Sequence, residues 1–594
     1  MIQYPKLAEQ ETSRQMIDTF KGYNHNLRIS DGEFFDMKNL TSDYYPILSP
    51  RGNRGVYASP ENPQGLISKD SLCYVDGAYF VMNEYRIDMG LNDEPKQLIS
   101  MGAYVIIMPD KKYINTQNLN DYGNIEATFQ TNSATYEMCK VDGNSYGNVT
   151  KAPNAPGNPA NMQLWIDTSS TPHVLKQYSE SSSVWNQIAT TYVKISAPNI
   201  AANFKEFDAV KISGLPESIT QLQDIEGQVC PLWAVHHDPG ETGENPRAEG
   251  TDDYIVIVGL LDEAATAESN LRLERTMPNM DFVIECKNRL WGCRYGIAAN
   301  GEVVNEIYAS KLGDFRNWNC FLQISTDSWV GSCGTDGQFT GAISHMGYPI
   351  FFKENCMHKV YISSTGAHQI QDTACSGVQM DCDKSLAIVN TTLFYKARNG
   401  ICAYDGSLPT EMSYALGNEA YSDAVGGAHG KKYYISMKDT NGTYHLFVYD
   451  TAKGMWHKED NLQVDCFCSC RGEMYAIAGG DIITLHGSGT PDTDPVEWMA
   501  ETGEIGITSP DMKYISRLTI RMSMDIGAEV RIYAQYDFND EWEHLCDLRG
   551  YNLRSFSIPI RPKRCDHMKL RFEGEGMCKI YSITKTIEQG SELS

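Results

Sequence analysis

Short runs of alternating apolar and polar residues, each ending in Gly, Asn or Asp, recur along the chain from about residue 68 onward. Apolar residues at the i, i+3, i+4, i+7 spacing that amphipathic helices require are scarce by comparison. From residue 281 onward the runs group into units that repeat about every 40 to 55 residues, which is the interval of four-stranded propeller blades. The pattern therefore predicts an all-β fold built around a six- or seven-bladed β-propeller.

Breaks in this pattern divide the chain of 594 residues into four parts. Turn residues near Asn154 open an insertion, and a new strand pattern follows a linker that begins near residue 490. In that last part Leu518, Ile520 and Met522 alternate with polar residues, as in a half-buried antiparallel strand. We predict an extended N-terminal arm (1–60), a propeller (61–123 and 273–489), an inserted β domain or domains (124–272) and a C-terminal β-sandwich (490–594).

The net charge and the number of cysteines limit the classes of function that the chain can have. The formal net charge of -26 argues against a surface that grips nucleic acid, because phosphate binding depends on Lys and Arg. The same charge suits a conduit through which DNA slides without sticking.

The first twenty residues show no signal-peptide pattern and the apolar runs are only strand length, so we expect neither export nor membrane insertion. The 17 cysteines then indicate reduced thiols made in a cytoplasm.

The run VDCFCSCRGEMYAIAGG contains the most conspicuous group of candidate ligands, Cys466, Cys468 and Cys470. Residues two apart on a strand share a face, so the spacing favours thiols packed between neighbouring sheets. A closed zinc site usually draws on C-x-x-C pairs or paired His, and no second pair is near in sequence. We interpret the run as core and keep metal binding as the weaker alternative.

Two polar stretches could also bind a metal, and each has a simpler explanation as a loop. They are VHHDPGETGEN, with His236, His237, Asp238, Glu241 and Glu244, and YDFNDEWEH, with Asp537, Asn539, Asp540 and Glu541. The first suits a solvated loop and the second a hairpin turn. Phosphate-loop, nucleophile-elbow and zinc-protease motifs do not occur in the sequence, and SKLGDFRNW (310–318) and STDSWVGS (325–332) lack the Asp-box spacing of sialidases. We predict a protein that is not an enzyme, without catalytic, cofactor-binding or metal-binding residues.

One basic segment, RPKRCDHMKLRF, stands out in an otherwise acidic chain. Solvated strand faces explain it simply, whereas complementarity to an acidic neighbouring copy would favour assembly into a ring. The candidate inter-subunit patch consists of Arg561, Lys563, Arg564, Lys569 and Arg571.

Two resemblances add to these patterns. The stretch 446–480 resembles a kelch blade, with Tyr449-Asp450, Trp456 and Gly479-Gly480, and Gly426-Gly427 fits the same scheme. The stretch FKGYNHNLRISDGEFFDMKNLTSDYYPILSPRGNRG (20–55) contains Asp-Gly-Glu, Asn-Leu and Pro-x-Leu-x-Pro-Arg. Together with NRLWGCRYG, EIYASKLGDFRNW and the segment 337–363, it resembles the virion propeller proteins of tailed bacteriophages, over about residues 20 to 490.

Within that group the resemblance implies a role like that of the tail nozzle of short-tailed phages. Such a protein forms a homo-oligomeric ring, commonly hexameric, that extends the DNA-ejection channel below the portal and adaptor and docks other tail proteins. The resemblance also implies a virion location, assembly in the host cytoplasm, and duplex DNA that passes through without specific binding. It further implies that Arg51 and Arg54 take part in the contacts of the arm. The insertion and the C-terminal sandwich depart from the family pattern. These departures leave a second alternative, a receptor- or glycan-binding component of the tail tip or baseplate. A third alternative, a propeller glycosidase, requires paired carboxylates in a central pocket.

Overall fold

The computed structural model describes residues 12–240, 247–298, 301–487, 490–491, 494–508, 511–537 and 539–589. Strands dominate these residues, and the described helices are three short 3-10 turns, Thr220–Ile225, Asp383–Ser385 and Tyr414–Leu416. The predicted all-β class is confirmed.

Six short strands begin the described part of the chain. They are β1 (Thr12–Ile17), β2 (Gly22–Tyr23), β3 (Glu33–Lys38), β4 (Leu40–Thr41), β5 (Ser49–Pro50) and β6 (Gly55–Ala58).

Two four-stranded antiparallel sheets follow. Sheet 1 contains β7 (Pro63–Ser68), β8 (Leu72–Asp76), β9 (Tyr79–Met82) and β10 (Tyr85–Asp88). Sheet 2 contains β11 (Gln97–Met101), β12 (Tyr104–Met108), β13 (Lys112–Asn115) and β14 (Tyr122–Asn124).

The insertion forms two sheets of its own. A four-stranded sheet contains β16 (Val149–Ala152), β17 (Leu164–Asp167), β18 (Val174–Ser179) and β19 (Val184–Gln187). A seven-stranded sheet contains β15 (Ala127–Cys139), β20 (Tyr192–Ser196), β21 (Ala209–Ser213), β22 (Val229–Pro231), β23 (Ala234–His236), β24 (Tyr254–Val258) and β25 (Ala265–Arg275). The larger sheet packs around its own apolar core, which includes Tyr136, Ile195 and Leu271.

After the insertion the four-stranded pattern resumes. Sheet 3 contains β26 (Phe282–Glu285), β27 (Leu290–Ile297), β28 (Val303–Ala309) and β29 (Trp329–Ser332). Sheet 4 contains β30 (Gly341–His345), β31 (Tyr348–Lys353), β32 (Cys356–Tyr361) and β33 (Gln369–Ala374). Sheet 5 contains β34 (Ala387–Val389), β35 (Thr392–Ala397), β36 (Gly400–Tyr404) and β37 (Thr410–Glu411).

Sheets 6 and 7 complete the series. Sheet 6 contains β38 (Ser422–His429), β39 (Lys432–Lys438), β40 (Tyr444–Asp450) and β41 (Met455–Lys458). Sheet 7 contains β42 (Cys466–Cys470), β43 (Glu473–Ala478) and β44 (Asp481–Thr484), and its fourth strand is β6 from the beginning of the chain. The two-residue strand β45 (Thr490–Pro491) also pairs with β6.

The first strands of the seven sheets contact one another in cyclic order. β7 contacts β11, β11 contacts β26 and β26 contacts β30; further round, β34 contacts β38, β38 contacts β42 and β42 returns to β7. Between β30 and β34 the 3-10 turn Asp383–Ser385 makes the contact. A Cβ atom at Gly427 on β38 would overlap Phe467 and Met474, so the close approach to sheet 7 requires glycine there.

The C-terminal part forms two further sheets over a shared core. Its strands are β46 (Glu497–Thr502), β47 (Lys513–Met524), β48 (Glu529–Tyr536), β49 (Glu543–Arg549), β50 (Arg554–Ile558), β51 (Met568–Glu575) and β52 (Cys578–Gln589). Leu518, Ile520 and Met522 on β47 are fully buried and Arg517 and Arg521 are exposed, which confirms the alternation predicted for this strand.

The strands of the N-terminal segment connect the seven sheets to the C-terminal sheets and do not form a separate arm. β1 pairs with β52, and β2 pairs with β41 on one side and with β3 on the other. Because β3 also pairs with β46, sheet 6 continues through β2 and β3 into one C-terminal sheet, giving ten strands in all. Residues 1–11 of the predicted arm lie outside the described residues.

Candidate functional site

The basic residues predicted to form an inter-subunit patch are partly neutralised within the chain. Arg571 Nη2 lies 2.8 Å from Glu501 Oε2, Lys569 Nζ lies 3.6 Å from Glu501 Oε1, and Lys563 pairs with Glu543. Arg561 and Arg564 are exposed between β50 and β51. The contact with a second copy stays a prediction.

Arg51 and Arg54 form a buried ion cluster with two acidic residues that follow β41. Arg54 Nη1 lies 2.6 Å from Asp460 Oδ2 and its Nη2 lies 2.8 Å from Glu459 Oε2, while Arg51 Nη2 lies 3.3 Å from Asp460 Oδ2. All four side chains are at most 20% exposed. Burial alone would raise the pKa of Asp460, but the two guanidinium groups hold it below its usual value. We call these four residues the arginine clasp.

Cys466, Cys468 and Cys470 lie on one face of β42, as the spacing predicted, and pack with Leu66, Leu72 and Ile477 between sheets 7 and 1. The described residues contain no group of three or more His, Cys, Asp or Glu that could hold a metal ion. Burial raises the pKa of Cys468, and the neighbouring thiols raise it further. The cluster is therefore built as packed thiols.

We expect these thiols to react slowly in the folded protein. Burial raises the pKa of Cys73, which packs in the adjoining core, to about 12, so little thiolate forms at pH 8. Labelling of Cys73 and Cys468 by iodoacetamide, followed by mass spectrometry, should be at least about tenfold slower than in the urea-unfolded chain. Equal rates in both states would show that the cluster is open to solvent.

In the stretch predicted to be a solvated loop, His236 and His237 are exposed, whereas Asp238 and the neighbouring Asp253 are buried and hold the loop through ion pairs. His237 lies between two carboxylates, with Nδ1 3.0 Å from Asp253 Oδ2 and Nε2 2.9 Å from Glu249 Oε1. Glu241 and Glu244 lie outside the described residues. Hydrogen bonds from the imidazole to these two carboxylates raise the pKa of His237.

This geometry predicts a pH-dependent contribution from His237. A raised pKa stabilises the fold below the unfolded value of about 6.5, and the contribution is lost as pH rises through the higher folded value. Glu249→Gln should lower the pKa of His237, measured by NMR titration of the imidazole protons and assigned with His237→Gln. An unchanged titration would show that Glu249 does not reach the imidazole in solution.

The acidic stretch around Asp537 is the turn of a hairpin, since β48 and β49 on either side of it pair with each other. Asp537 Oδ1 accepts the backbone N–H of Asp566 at 2.6 Å, and Asn539, Asp540 and Glu541 are exposed. The described residues thus confirm the hairpin turn predicted for this stretch.

A cavity of about 530 Å³ lies where the first strands of the cycle meet. Its lining includes Leu66 of β7, Leu98 of β11, Val283 of β26 and Val425 of β38. Two acidic residues, Asp281 and Asp383, also line it, and partial desolvation raises the pKa of each above its usual value.

A second cavity lies where the insertion meets sheets 2 and 3, and it is built around the segment GDFRNW. Asn317 fixes this segment to the insertion: its Nδ2 donates to Asp314 Oδ2 at 2.6 Å, and its Oδ1 accepts the backbone N–H of Ala209 at 2.9 Å. Trp318 Nε1 donates to the carbonyl oxygen of Phe315 at 2.9 Å. The segment thereby holds Arg316 at the junction.

The junction cleft has two adjoining lobes of about 440 and 190 Å³, which share Tyr113, Lys205 and Arg316 in their walls. The remaining lining residues are Tyr104, Tyr122, Gly123, Asn124, Glu126, Ala127, Thr128, Ala202, Asn203, Phe204, Arg275, Gly313, Asp314 and Phe315. The insertion, sheet 2 and the GDFRNW segment each supply part of the wall.

Two arginines set the charge of this cleft. Arg275 is buried against Asp208, and its Nε donates to the carbonyl oxygen of Ile125 at 3.0 Å. Burial alone would lower the pKa of Arg316, but Asp314 and Asp208 raise it above its usual value. The Arg316 side chain therefore carries a full positive charge, whereas the charge of Arg275 is balanced by Asp208.

Sequence reasoning missed this cleft. In the sequence, GDFRNW lacks the spacing of an Asp box and otherwise contributes only to the resemblance to phage virion propellers, which assigns it no binding role. The other walls come from residues 104–128, 202–205 and 275, and no local pattern links these segments to residue 316. The one available signal was a pair of cations, Lys205 and Arg316, beside aromatic residues in an acidic chain.

Comparison with known proteins assigns the chain no family. No family model and no curated protein matches it. Among solved structures, it is similar to the exo-beta-1,3-galactanase of Phanerochaete chrysosporium, with 8% identity over 51% of this chain and 94% of that chain and a TM-score of 0.20. PorZ of the Porphyromonas gingivalis type-IX secretion system shows 10% identity over 88% and 82% with a TM-score of 0.25. Trypanosoma rangeli sialidase shows 8% over 97% and 95% with a TM-score of 0.21.

These TM-scores lie far below 0.5, so the three proteins assign this chain neither a fold nor an activity. No helix in the described ranges is long and apolar enough to cross a membrane.

Proposed function

We propose that this chain is a non-enzymatic structural protein of a bacteriophage tail, a ring-forming nozzle or hub that extends the DNA-ejection channel and docks other tail components. The observation that carries the proposal is the place of residues 20–55, which bear the resemblance to phage virion propellers. Their strands join sheet 6 to the C-terminal sheets, and Arg51 and Arg54 fasten the segment through the arginine clasp. The segment thus has a structural role in joining sheet 6 to the C-terminal sheets.

We infer further that the seven sheets are the blades of a seven-bladed propeller. The cyclic contacts of their first strands support this, as does the completion of sheet 7 by β6, since propellers commonly close by pairing distant parts of the chain. Such a body is rigid and offers two rims, from one of which the insertion projects.

In the proposed assembly, copies of the propeller surround a lumen through which duplex DNA passes. A net charge of -26 gives the ring a wall that repels phosphate, so that DNA slides without binding. The cavity within one propeller, at about 530 Å³, is far smaller than the lumen that this role requires. The channel would therefore lie between subunits.

The test is the mass of the full-length chain by light scattering, with negative-stain images of the same fraction. A closed ring, sixfold by preference, with an opening that admits duplex DNA is the expected result. A stable trimer, or a monomer at every concentration and in the presence of the portal and adaptor, would overturn the ring.

The non-enzymatic part of the proposal has its own test, because Asp281 and Asp383 line the propeller cavity. We expect no turnover of chromogenic glycosides by the purified chain. Turnover that is lost in Asp383→Asn and retained in an exposed control, Asp70→Asn, would replace the structural role with a glycosidase.

A receptor- or glycan-binding tail component is the second candidate, and the four-stranded sheet of the insertion favours it. Trp185 on β19 is half-buried, and its ring lies 5.3 Å from those of Trp165 and Tyr178. A partly exposed indole offers an apolar face together with an N–H donor, a combination that suits the mixed surface of a sugar ring. Binding on a glycan array that is lost in Trp185→Ala but kept in Tyr414→Ala, an exposed aromatic elsewhere, would favour this candidate.

A further inference from the structure

We propose that the junction cleft binds an oxyanion, a carboxylate or a phosphate, carried by a sugar-sized ligand. The inference goes beyond the proposed function and does not depend on ring formation. It is carried by the guanidinium of Arg316.

Arg316 presents donors that the rest of the described chain leaves unused. Its Nε lies 3.4 Å from Asp314 Oδ1, whereas its two terminal nitrogens make no hydrogen bond to the described residues. The side chain is only 17% exposed and lines both lobes of the cleft, so its unused donors are available to a ligand bound there. A planar guanidinium with both terminal nitrogens available matches the two oxygens of a carboxylate or phosphate.

The charge of the lining supports an anion. Lys205, Arg275 and Arg316 contribute three positive charges to the lining and Glu126 and Asp314 contribute two negative charges, while Arg275 is paired with the buried Asp208 behind the wall. Glu126 is paired with Lys111, whose Nζ lies 2.8 Å from its Oε1. A locally positive cleft in a chain of net charge -26 concentrates anions that the remaining surface repels.

The walls suit a ring-bearing ligand. The rings of Tyr104 and Tyr113 lie 5.0 and 5.1 Å from that of Phe315, which gives one side of the cleft a rigid aromatic surface. Asn124 and Asn203 on the other walls can donate and accept hydrogen bonds from hydroxyl groups. The larger lobe, about 440 Å³, lies within the usual range for small-molecule sites.

The site is preorganised by contacts that lie behind its wall. Asp208, fully buried, pairs with Arg275 and accepts a hydrogen bond from Asn317 Nδ2 at 3.3 Å. Asp208 thereby connects the insertion to the GDFRNW segment. The same contacts hold the insertion to the GDFRNW segment and position the cations of the cleft. Few side chains therefore need to become ordered when the ligand binds.

The test uses the full-length chain and three probes of equal ring size: glucuronate, glucose 6-phosphate and glucose. Isothermal titration calorimetry and saturation-transfer NMR should show binding of the charged probes and at least tenfold weaker binding of glucose, about the effect of one charge-assisted contact. Binding of glucuronate alone would identify a sugar acid as the source of the oxyanion, and binding of glucose 6-phosphate alone a sugar phosphate.

Two variants assign the binding to this cleft. Arg316→Gln should lower the affinity for the charged probes by about tenfold or more. Because Lys205 is exposed, Lys205→Gln should also lower this affinity and leave the melting temperature unchanged. Arg272→Gln, on β25 of the insertion but outside the lining, should leave affinity unchanged. Equal binding of glucose, no binding of any probe, or unchanged affinity in both Arg316→Gln and Lys205→Gln would overturn the proposal.

Discussion

Replacing Arg54 with alanine is expected to lower the free energy of unfolding by about 3 to 5 kcal/mol, because it leaves buried carboxylates without their partner. Arg54 supplies the two shortest contacts of the arginine clasp, at 2.6 and 2.8 Å, to Asp460 and Glu459. Arg51 alone cannot replace them, because its Nη2 lies 3.3 Å from Asp460 and its Nε 3.6 Å from Glu459.

Urea titration followed by tryptophan fluorescence measures the effect, with Arg549→Ala as the matched control. Arg549 also pairs with a carboxylate, that of Glu529, but is 73% exposed, so its loss should cost less than about 1 kcal/mol. The lowered pKa of Asp460 also gives the direction of the pH dependence. The clasp stabilises the fold above the ordinary carboxyl pKa of 3.8, and this stabilisation is lost as the pH falls below that value. Equal effects of the two substitutions would show that the clasp is open to water.

Gly22→Ala is expected to lower the free energy of unfolding by about 3 kcal/mol and to separate the C-terminal sheets from sheets 1 to 7. Gly22 has a φ of +86°, where L residues are strained, and a Cβ atom there would overlap the backbone carbonyl oxygen of Trp456. Backbone cannot rotate away as a side chain can. Since β2 connects β41 to β3, the clash falls on the junction between sheet 6 and the C-terminal strands.

Scanning calorimetry distinguishes local damage from separation of the two bodies. We expect one main transition in the parent chain and two in Gly22→Ala, the second belonging to the C-terminal sheets. Gly52→Ala is the control, because Gly52 lies in the same segment and a Cβ atom there has no neighbour within 4 Å. A single, merely shifted transition in Gly22→Ala would contradict the connecting role of β2.

The parts of the fold that follow local patterns could be predicted from the sequence. The alternation over Leu518–Met524, the shared face of Cys466, Cys468 and Cys470, and the hairpin at Asp537 all depend on a period of two within one strand or hairpin. Each needs only neighbouring residues, and each is present in the structure.

The pairing of the N-terminal strands could not be predicted in the same way. β2 and β5 have two residues each, too few for any periodicity, and β6 pairs with β44 more than 400 positions away. The sequence therefore predicted an extended arm where the structure has strands in four different sheets. The junction cleft escaped prediction for the same reason, since its cations come from separate segments around residues 205, 275 and 316.

The position of β6 in sheet 7 has a consequence for biosynthesis. A ribosome adds about 5 to 20 residues per second, so Gly55–Ala58 waits on the order of 20 to 90 s before Asp481–Thr484 is made. β1 waits longer still for β52, its only strand partner among the described residues. During that time the nascent chain exposes unpaired strand edges, which are the usual starting points of aggregation. We therefore expect this chain to depend on chaperones that shield β1 and β6 until their partner strands have been made.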